Sequence, residues 1–334
     1  MRGSFRFTYY VTRYELRNLK TKDDIMNMQN CRVVYGKTLV ELGMEDERIV
    51  ALDADLCKST MTCLFEEAFP ERHFEMGIGE QNMVSVAAGL AFCGKIPFVN
   101  SFAVFSVGRP YDQIRVSVCI GNVNVKIIGS SCGLSDFGDG ATHQGIEDIA
   151  IMRALPNMTV LSPADGIETR KMVKAAVEHD GPVYIRILRN EVPDVTDENK
   201  EFKIGEPTVI REGKDITVFA HGYMVYKALK AAEIMEKDGV SLKVVNVSTL
   251  KPIDEVAIKQ LAGSAKGIVT VEEHTIIGGL ASAIAYIMRG SGVPMEAVAV
   301  QDVFGQSALD WEQLLVHYGL TENDIVKAVK KILG

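Results

Sequence analysis

Two stretches of this 334-residue chain carry side chains whose type and spacing could do chemistry. The first reads Phe74-Glu-Met-Gly-Ile-Gly-Glu-Gln-Asn-Met83 and sets a carboxylate, Glu80, where a strand-like run gives way to a helical pattern. In an open parallel sheet that strand end is where ligands bind. It is equally a place for a plain structural acid, because the helix dipole stabilises a carboxylate in the first turn. The second stretch, Gly138-Asp-Gly-Ala-Thr-His-Gln144, puts Asp139 and His143 in one loop. Without further context, a loop Asp and His are more often ordinary surface residues. Gly77-Ile-Gly79 and Gly278-Gly279 each precede a helical pattern, but the third glycine of a dinucleotide loop and the Lys-Ser/Thr of a phosphate loop are missing, so both read as tight turns.

The elements that must position these groups follow from the apolar pattern. Strand-length runs stand at 49–54, 73–78, 97–101, 123–130, 158–162 and 183–188, with helical stretches at 32–42, 81–92, 111–119, 146–154 and 167–178 between them. This alternation predicts a parallel sheet covered on both faces. From Asn190 to Lys214 the periodicity lapses into Pro, Asp, Glu and Lys, as in a linker. The alternation restarts with strands at 216–220, 242–247, 267–271 and 297–301 and helices at 223–237, 253–261, 280–288 and 322–332. The expected fold class is therefore α/β, with two doubly wound, mostly parallel-sheet domains at 28–190 and 215–334, joined by a linker at 191–214. Residues 1–27, basic and aromatic without an apolar core, read as a tag or mis-assigned start.

Composition narrows the functional classes. The chain is 47% hydrophobic and 24% charged, as expected of a globular protein with a sizeable core. A net charge of −8 and the lack of a dense Lys/Arg block argue against nucleic-acid or anionic-membrane partners. No apolar run reaches the roughly 18 residues needed to span a bilayer. Six cysteines without CxxC or Cys/His metal spacing read as thiols of a reducing compartment, which suits a cytoplasmic location.

The sequence resembles the transketolase family. GIGEQNM, NSFAVFSVGRPYDQIR, GDGATHQGIED and SPAD are similar, in order and spacing, to the pyrimidine-binding domain. VFAHGYMVYKALKAAE, VNVSTLKPID and VEEHTIIGGLASAIA resemble the C-terminal domain of the same enzymes. The match covers about residues 30 to 334. It implies a thiamine-diphosphate enzyme that transfers a two-carbon ketol unit from a ketose to an aldose. Glu80 is then the acid that hydrogen-bonds the ring nitrogen of the cofactor's aminopyrimidine, a role that calls for an apolar, water-poor surrounding. Phe105, with Phe102 beside it, would stack on the pyrimidine, although both also fit a plain aromatic core. Asp55 falls on the cofactor side, and Asp139 and His143 on the loop that faces the sugar. Arg32, Ser59 and Arg189 stand where the family binds the anionic end of the sugar. Two guanidiniums and a hydroxyl suit that task, although either arginine could instead form a surface ion pair. Ser131 stands where many transketolases place a histidine that touches the acceptor phosphate, which points to an unusual acceptor such as a branched sugar phosphate or a sulfosugar.

The GDG of residues 138–140 does not fit a diphosphate and metal motif. Such a motif needs paired asparagines some 25–30 residues later, and only Asn157 follows, single and in a turn. No metal ligand is therefore expected here. The resemblance implies that Mg2+ or Ca2+ is bound mainly by a second chain, an N-terminal transketolase subunit carrying the diphosphate-binding domain, in an assembly of two copies of each. The beta subunit of a 2-oxo acid dehydrogenase and a fragment of deoxyxylulose phosphate synthase remain as alternatives, as does a relative that keeps the fold without turnover.

Overall fold

The computed structural model describes residues 27–263 and 265–334, so the segment expected to be dispensable lies almost wholly outside the described residues. Among these residues, strands β1 (Met28–Asn30) to β8 (Glu191–Pro193) include β2 (Ile49–Asp53), β3 (His73–Glu75), β4 (Ile96–Phe102), β5 (Lys126–Ser130), β6 (Thr159–Leu161) and β7 (Val183–Arg186). They are followed by β9 (Thr208–Arg211), β10 (Ile216–Ala220), β11 (Leu242–Asn246), β12 (Thr249–Lys251), β13 (Gly267–Thr275) and β14 (Met295–Val300).

The larger sheet runs β12-β6-β7-β5-β4-β2-β3, and the smaller β14-β13-β10-β11-β9. Pairing is parallel except where β12 joins β6 and where β9 joins β11. Every residue of β2, β4 and β5 is buried, which is why these strands read as continuous apolar runs rather than as alternation. From β2 the chain passes to β3 on one side and then to β4 on the other. The switch opens a crevice at the carboxyl ends of these strands, the ligand-binding place of doubly wound sheets. Among the described residues, no helix is long and apolar enough to cross a membrane.

The expected strands and helices of both domains are present, with four differences. The stretch 191–214 is not a plain linker: β8 pairs with β1, and β9 forms the edge of the second sheet. An edge strand is half solvated, so β9 lacks the apolar weight that marks a central strand. The short β12 leaves the second domain's stretch of chain and extends the first domain's sheet. Residues 111–119 are helical, but Ile114–Cys119 forms a wider π turn. Four helices had no counterpart in the apolar pattern: Cys57–Thr60, Cys63–Ala68, Ala103–Gly108 and Trp311–His317. The glycine pairs are turns as expected. Gly77 has φ +64, and the helix after Gly279 already receives a carboxylate, because Leu280 N and Ala281 N donate to Glu272 at 2.7 and 2.8 Å.

The two domains meet through buried polar contacts. Arg186, at the end of β7, pairs with Asp148 at 2.9 Å, and both are buried. Tyr184 Oη donates to the same carboxylate at 2.6 Å. The Arg186 guanidinium also donates to the Glu273 carbonyl at 2.7 Å and to the Gly145 carbonyl at 3.3 Å. Nearby, Asn246 donates to the buried Glu168, and Arg153 donates to the carbonyls of Leu250, Gly278 and Gly279.

Removing one partner of a buried pair leaves the other charge uncompensated, at a cost of about 3–5 kcal/mol. Asp148→Ala should therefore lose stability of that order in urea unfolding. Asp139→Ala, on an exposed side chain, should shift it by no more than about 0.5 kcal/mol. Equal small shifts in both variants would show that the buried pair adds little to stability.

Candidate active site

The residues that could do chemistry lie where strands of the larger sheet end. Glu80 begins the helix Glu80–Phe92 after β3. Phe102 is the last residue of β4, and Phe105 lies one turn into the helix Ala103–Gly108. Ser131 to Gly145 follow β5, and Arg189 follows β7. Asp53 closes β2 with a buried carboxylate that accepts from Leu56 N at 2.6 Å and from the hydroxyls of Thr60 and Thr62 at 2.8 Å. Burial pushes its pKa up to about 6 against those hydrogen bonds. These contacts fold the loop that carries Ser59.

From one end to the other the groups touch in sequence. Glu80 is 2% exposed, and its Oε1 lies 2.5 Å from an Arg109 guanidinium nitrogen. The guanidinium carbon of Arg109 stands 4.1 Å from the centre of the Phe105 ring. Phe105 meets the His143 ring edge-on at 5.2 Å, and His143 meets Phe102 at 6.1 Å. Arg189 lies 5.9 Å from the Phe102 ring and pairs with Asp136 at 2.9 Å. Arg32 donates from Nε to the Arg189 carbonyl at 3.1 Å and from a terminal nitrogen to the Ser59 carbonyl at 2.8 Å. Asn30 caps the helix that bears Arg32, its side chain accepting from Arg32 N and Val33 N. The result is a trough with a carboxylate and an aromatic face at one end and two guanidiniums at the other.

The loop 131–145 reaches the aromatics because Gly145 packs onto the helix Ala103–Gly108. A Cβ there would stand 2.9 Å from Val104 N. Asp139 is exposed and His143 is half-buried with Thr142 Oγ1 at 2.9 Å from its Nδ1. Asp136 is buried beside them. Burial pushes its carboxyl up, the Arg189 guanidinium pulls it part of the way back, and Asp139 adds to the rise.

Several expectations change in detail. The surrounding of Glu80 is dry but not apolar, since it contains the Arg109 guanidinium. Arg189 is ion-paired with Asp136 rather than free for an anion. Ser59 takes part through its backbone carbonyl. Ser131 is fully buried with φ +51, and its Oγ has no hydrogen-bond partner among the described residues, so direct contact with an acceptor is not available in this arrangement. Asp55 is exposed with φ +61 just past the carboxyl end of β2, and its N–H donates to Glu75 Oε1 at 2.8 Å. Asn157 is a turn residue, with φ +67 and its amide donating to the Cys119 carbonyl. Arg109 and Asp136 are the site residues that the sequence reading missed. Arg109 stands inside one of the motifs it used and Asp136 two residues before another, but their pairing depends on contacts between different strand ends.

The trough fits the ring of a thiamine cofactor. Arg109 places a planar, nitrogen-bearing group on Phe105 and against Glu80, a shape and donor pattern that an aminopyrimidine shares.

The family is directly identifiable. Residues 27–195 match the transketolase pyrimidine binding domain, and residues 205–325 match the transketolase C-terminal domain. The chain belongs to the transketolase family, whose members depend on thiamine diphosphate. It is 43% identical to a putative transketolase C-terminal section of Methanocaldococcus jannaschii, over 88% of this chain and 93% of that protein. It is 42% identical to a 6-deoxy-6-sulfo-D-fructose transketolase subunit of a Clostridium species, over 90% of this chain and 94% of that subunit. A solved structure described as a split gene transketolase, inactive beta4 tetramer, superposes with a TM-score of 0.83 at 48% identity, covering 91% of this chain and 98% of that one.

Proposed function

We propose that this chain is the pyrimidine-binding subunit of a two-chain transketolase, which moves a two-carbon ketol unit from an anionic ketose to an aldose. The observation that supports this best is the single trough that joins Glu80 and Phe105 to His143, Arg189 and Arg32. When bound, thiamine diphosphate supplies the acidic thiazolium carbon that breaks and forms the bond beside the ketose carbonyl.

This chain's residues do the rest. Glu80 holds the hydrogen bond to the cofactor's ring nitrogen, and its burial keeps water from competing for that bond. Phe105 supplies the aromatic face, and the Arg109 guanidinium yields or shares that face when the ring enters. His143, against Phe105, is placed to hold or pass a proton at a sugar hydroxyl. Asp139 reads a neighbouring hydroxyl. Arg189 and Arg32 neutralise the phosphate or sulfonate end of the sugar, with Asp136 orienting Arg189. The relatives named as a C-terminal section and as a subunit support a separately encoded partner, to which we assign the diphosphate-binding domain and the divalent metal.

Three outcomes test this reading. Glu80→Gln keeps size and hydrogen bonding but removes the transferable proton. It should lower turnover at least ~10²-fold, with slower deuterium exchange at the thiazolium carbon. Near-native exchange would remove Glu80 from the activating role. Arg189→Ala should raise the KM of phosphorylated and sulfonated sugars while leaving cofactor affinity unchanged. A similar rise for uncharged sugars would argue against an anion site. The purified chain alone should turn nothing over, and a diphosphate-domain partner should restore ketol transfer, saturating near one-to-one. Full transfer by this chain alone would overturn the two-chain reading.

A further inference from the structure

The sugar-facing loop is held from behind by the second domain, and one of the contacts that hold it runs through a buried carboxylate. Glu273 lies near the carboxyl end of β13 and is 3% exposed. Its Oε1 accepts from Leu134 N at 2.6 Å and from Trp311 Nε1 at 3.0 Å. Gly133 has φ +62, and a Cβ there would stand 2.6 Å from the same oxygen, so the loop passes directly over the carboxylate. Gly133 N donates to the Gly145 carbonyl at 2.9 Å, which closes the neck of the loop. Arg186 then ties that neck to the β13 backbone, donating to the carbonyls of both Gly145 and Glu273.

The rest of the loop is braced by the chain after β14. Ala308 N donates to the Phe137 carbonyl at 2.9 Å, and Gln144 Nε2 donates to the Gln306 carbonyl at 3.0 Å. Gly140 has φ +74 and lies under Ser307, whose Oγ would be 2.4 Å from a Cβ at that position. Gly305 is as close: a Cβ there would meet Gln144 Oε1 at 1.7 Å.

We propose that Glu273 is a positioning residue of the second domain, which fixes the loop bearing Asp136, Asp139 and His143 and so sets how the sugar is held. This rests on the transketolase reading for the identity of the sugar, but the latch itself does not. Glu80, Phe105 and Arg109 stand on the first domain alone. The two ends of the trough are therefore separable: loosening the latch disturbs the sugar end and leaves the cofactor end intact.

The test uses the full chain, alone and with its partner. Glu273→Ala removes the acceptor for both N–H groups, whereas Glu273→Gln keeps an amide oxygen for them. In the isolated chain, Glu273→Ala should speed amide hydrogen exchange across residues 131–145 at least tenfold and leave the helix Glu80–Phe92 unchanged. With the partner, kcat/KM for ketose and aldose should fall roughly 10- to 10²-fold, as for a misplacement of about 1 Å. Deuterium exchange at the thiazolium carbon should stay within twofold of wild type. Glu273→Gln should restore most of both losses. If Glu273→Ala does not fold, Glu273→Asp, whose shorter side chain withdraws the carboxylate from Leu134 N and Trp311 Nε1, provides the same test.

Exchange that rises equally in both domains, or a parallel loss of thiazolium exchange, would reduce Glu273 to a general packing residue. A loosened loop with unchanged sugar kinetics would overturn the positioning role. Absence of ketol transfer by the wild-type pair would count against the transketolase reading, and the loop-exchange measurement would still judge the latch.

Discussion

The buried pair of Arg186 and Asp148 is the interaction on which the other site features depend. Arg186 ends β7 and Asp148 begins the helix Asp148–Arg153, so the pair joins a sheet strand to the helix that follows the sugar-facing loop. The same guanidinium reaches the Gly145 carbonyl and the Glu273 backbone in the second domain. Desolvating two charges costs several kcal/mol per ion, and the attraction offsets it only when the remaining donors are also satisfied. Here they are satisfied by backbone carbonyls of the loop and of β13. A shift of either element would leave a guanidinium N–H without an acceptor, so the pair fixes the relative position of three segments of the chain.

On that frame the trough shows a deliberate separation of charge. At one end a buried carboxylate meets Arg109 over an aromatic face, and at the other Arg189 meets Asp136 over a second aromatic face. Each guanidinium is held between a carboxylate and a π surface, an arrangement that keeps a cation oriented without sequestering all of its donors. The half-buried imidazole of His143 stands edge-on to both rings, and the rings themselves stack at 6.1 Å, so the two ends are joined through aromatic contacts.

Much of this was legible in the sequence, for a physical reason in each case. Residues 49–53 and 96–102 are buried along their whole length, so apolar residues dominate both faces of these strands. Glu80, Asp139 and His143 stand in contiguous motifs whose spacing identifies the loops at strand ends. The edge strand β9 and the short β12 were less legible, because a half-solvated or three-residue strand lacks a distinct period. Ser131 was placed by its position in the chain, but the left-handed turn there directs it into the interior. Arg109, Asp136 and Glu273 were not legible as site residues. Their partners lie 29, 53 and 139 positions away, and only the folded sheet brings them together.

The separations also explain why the second domain is needed for a site built on the first. A loop such as 131–145, with glycines at 133, 138, 140 and 145, has an unusually large conformational space to lose. Ordering each residue costs about 1–2 kcal/mol, so a fixed loop of this length requires many compensating contacts. The first domain supplies them at the neck, through Gly145 against Val104 and through Arg186. The middle of the loop rests on the second domain. Glu273 and the chain from Gly305 to Ala308 lie behind it, and they bury Leu134, Ser135 and Asp136 while leaving Asp139 exposed. The loop is thus held where Asp136 pairs with Arg189 and open at Asp139.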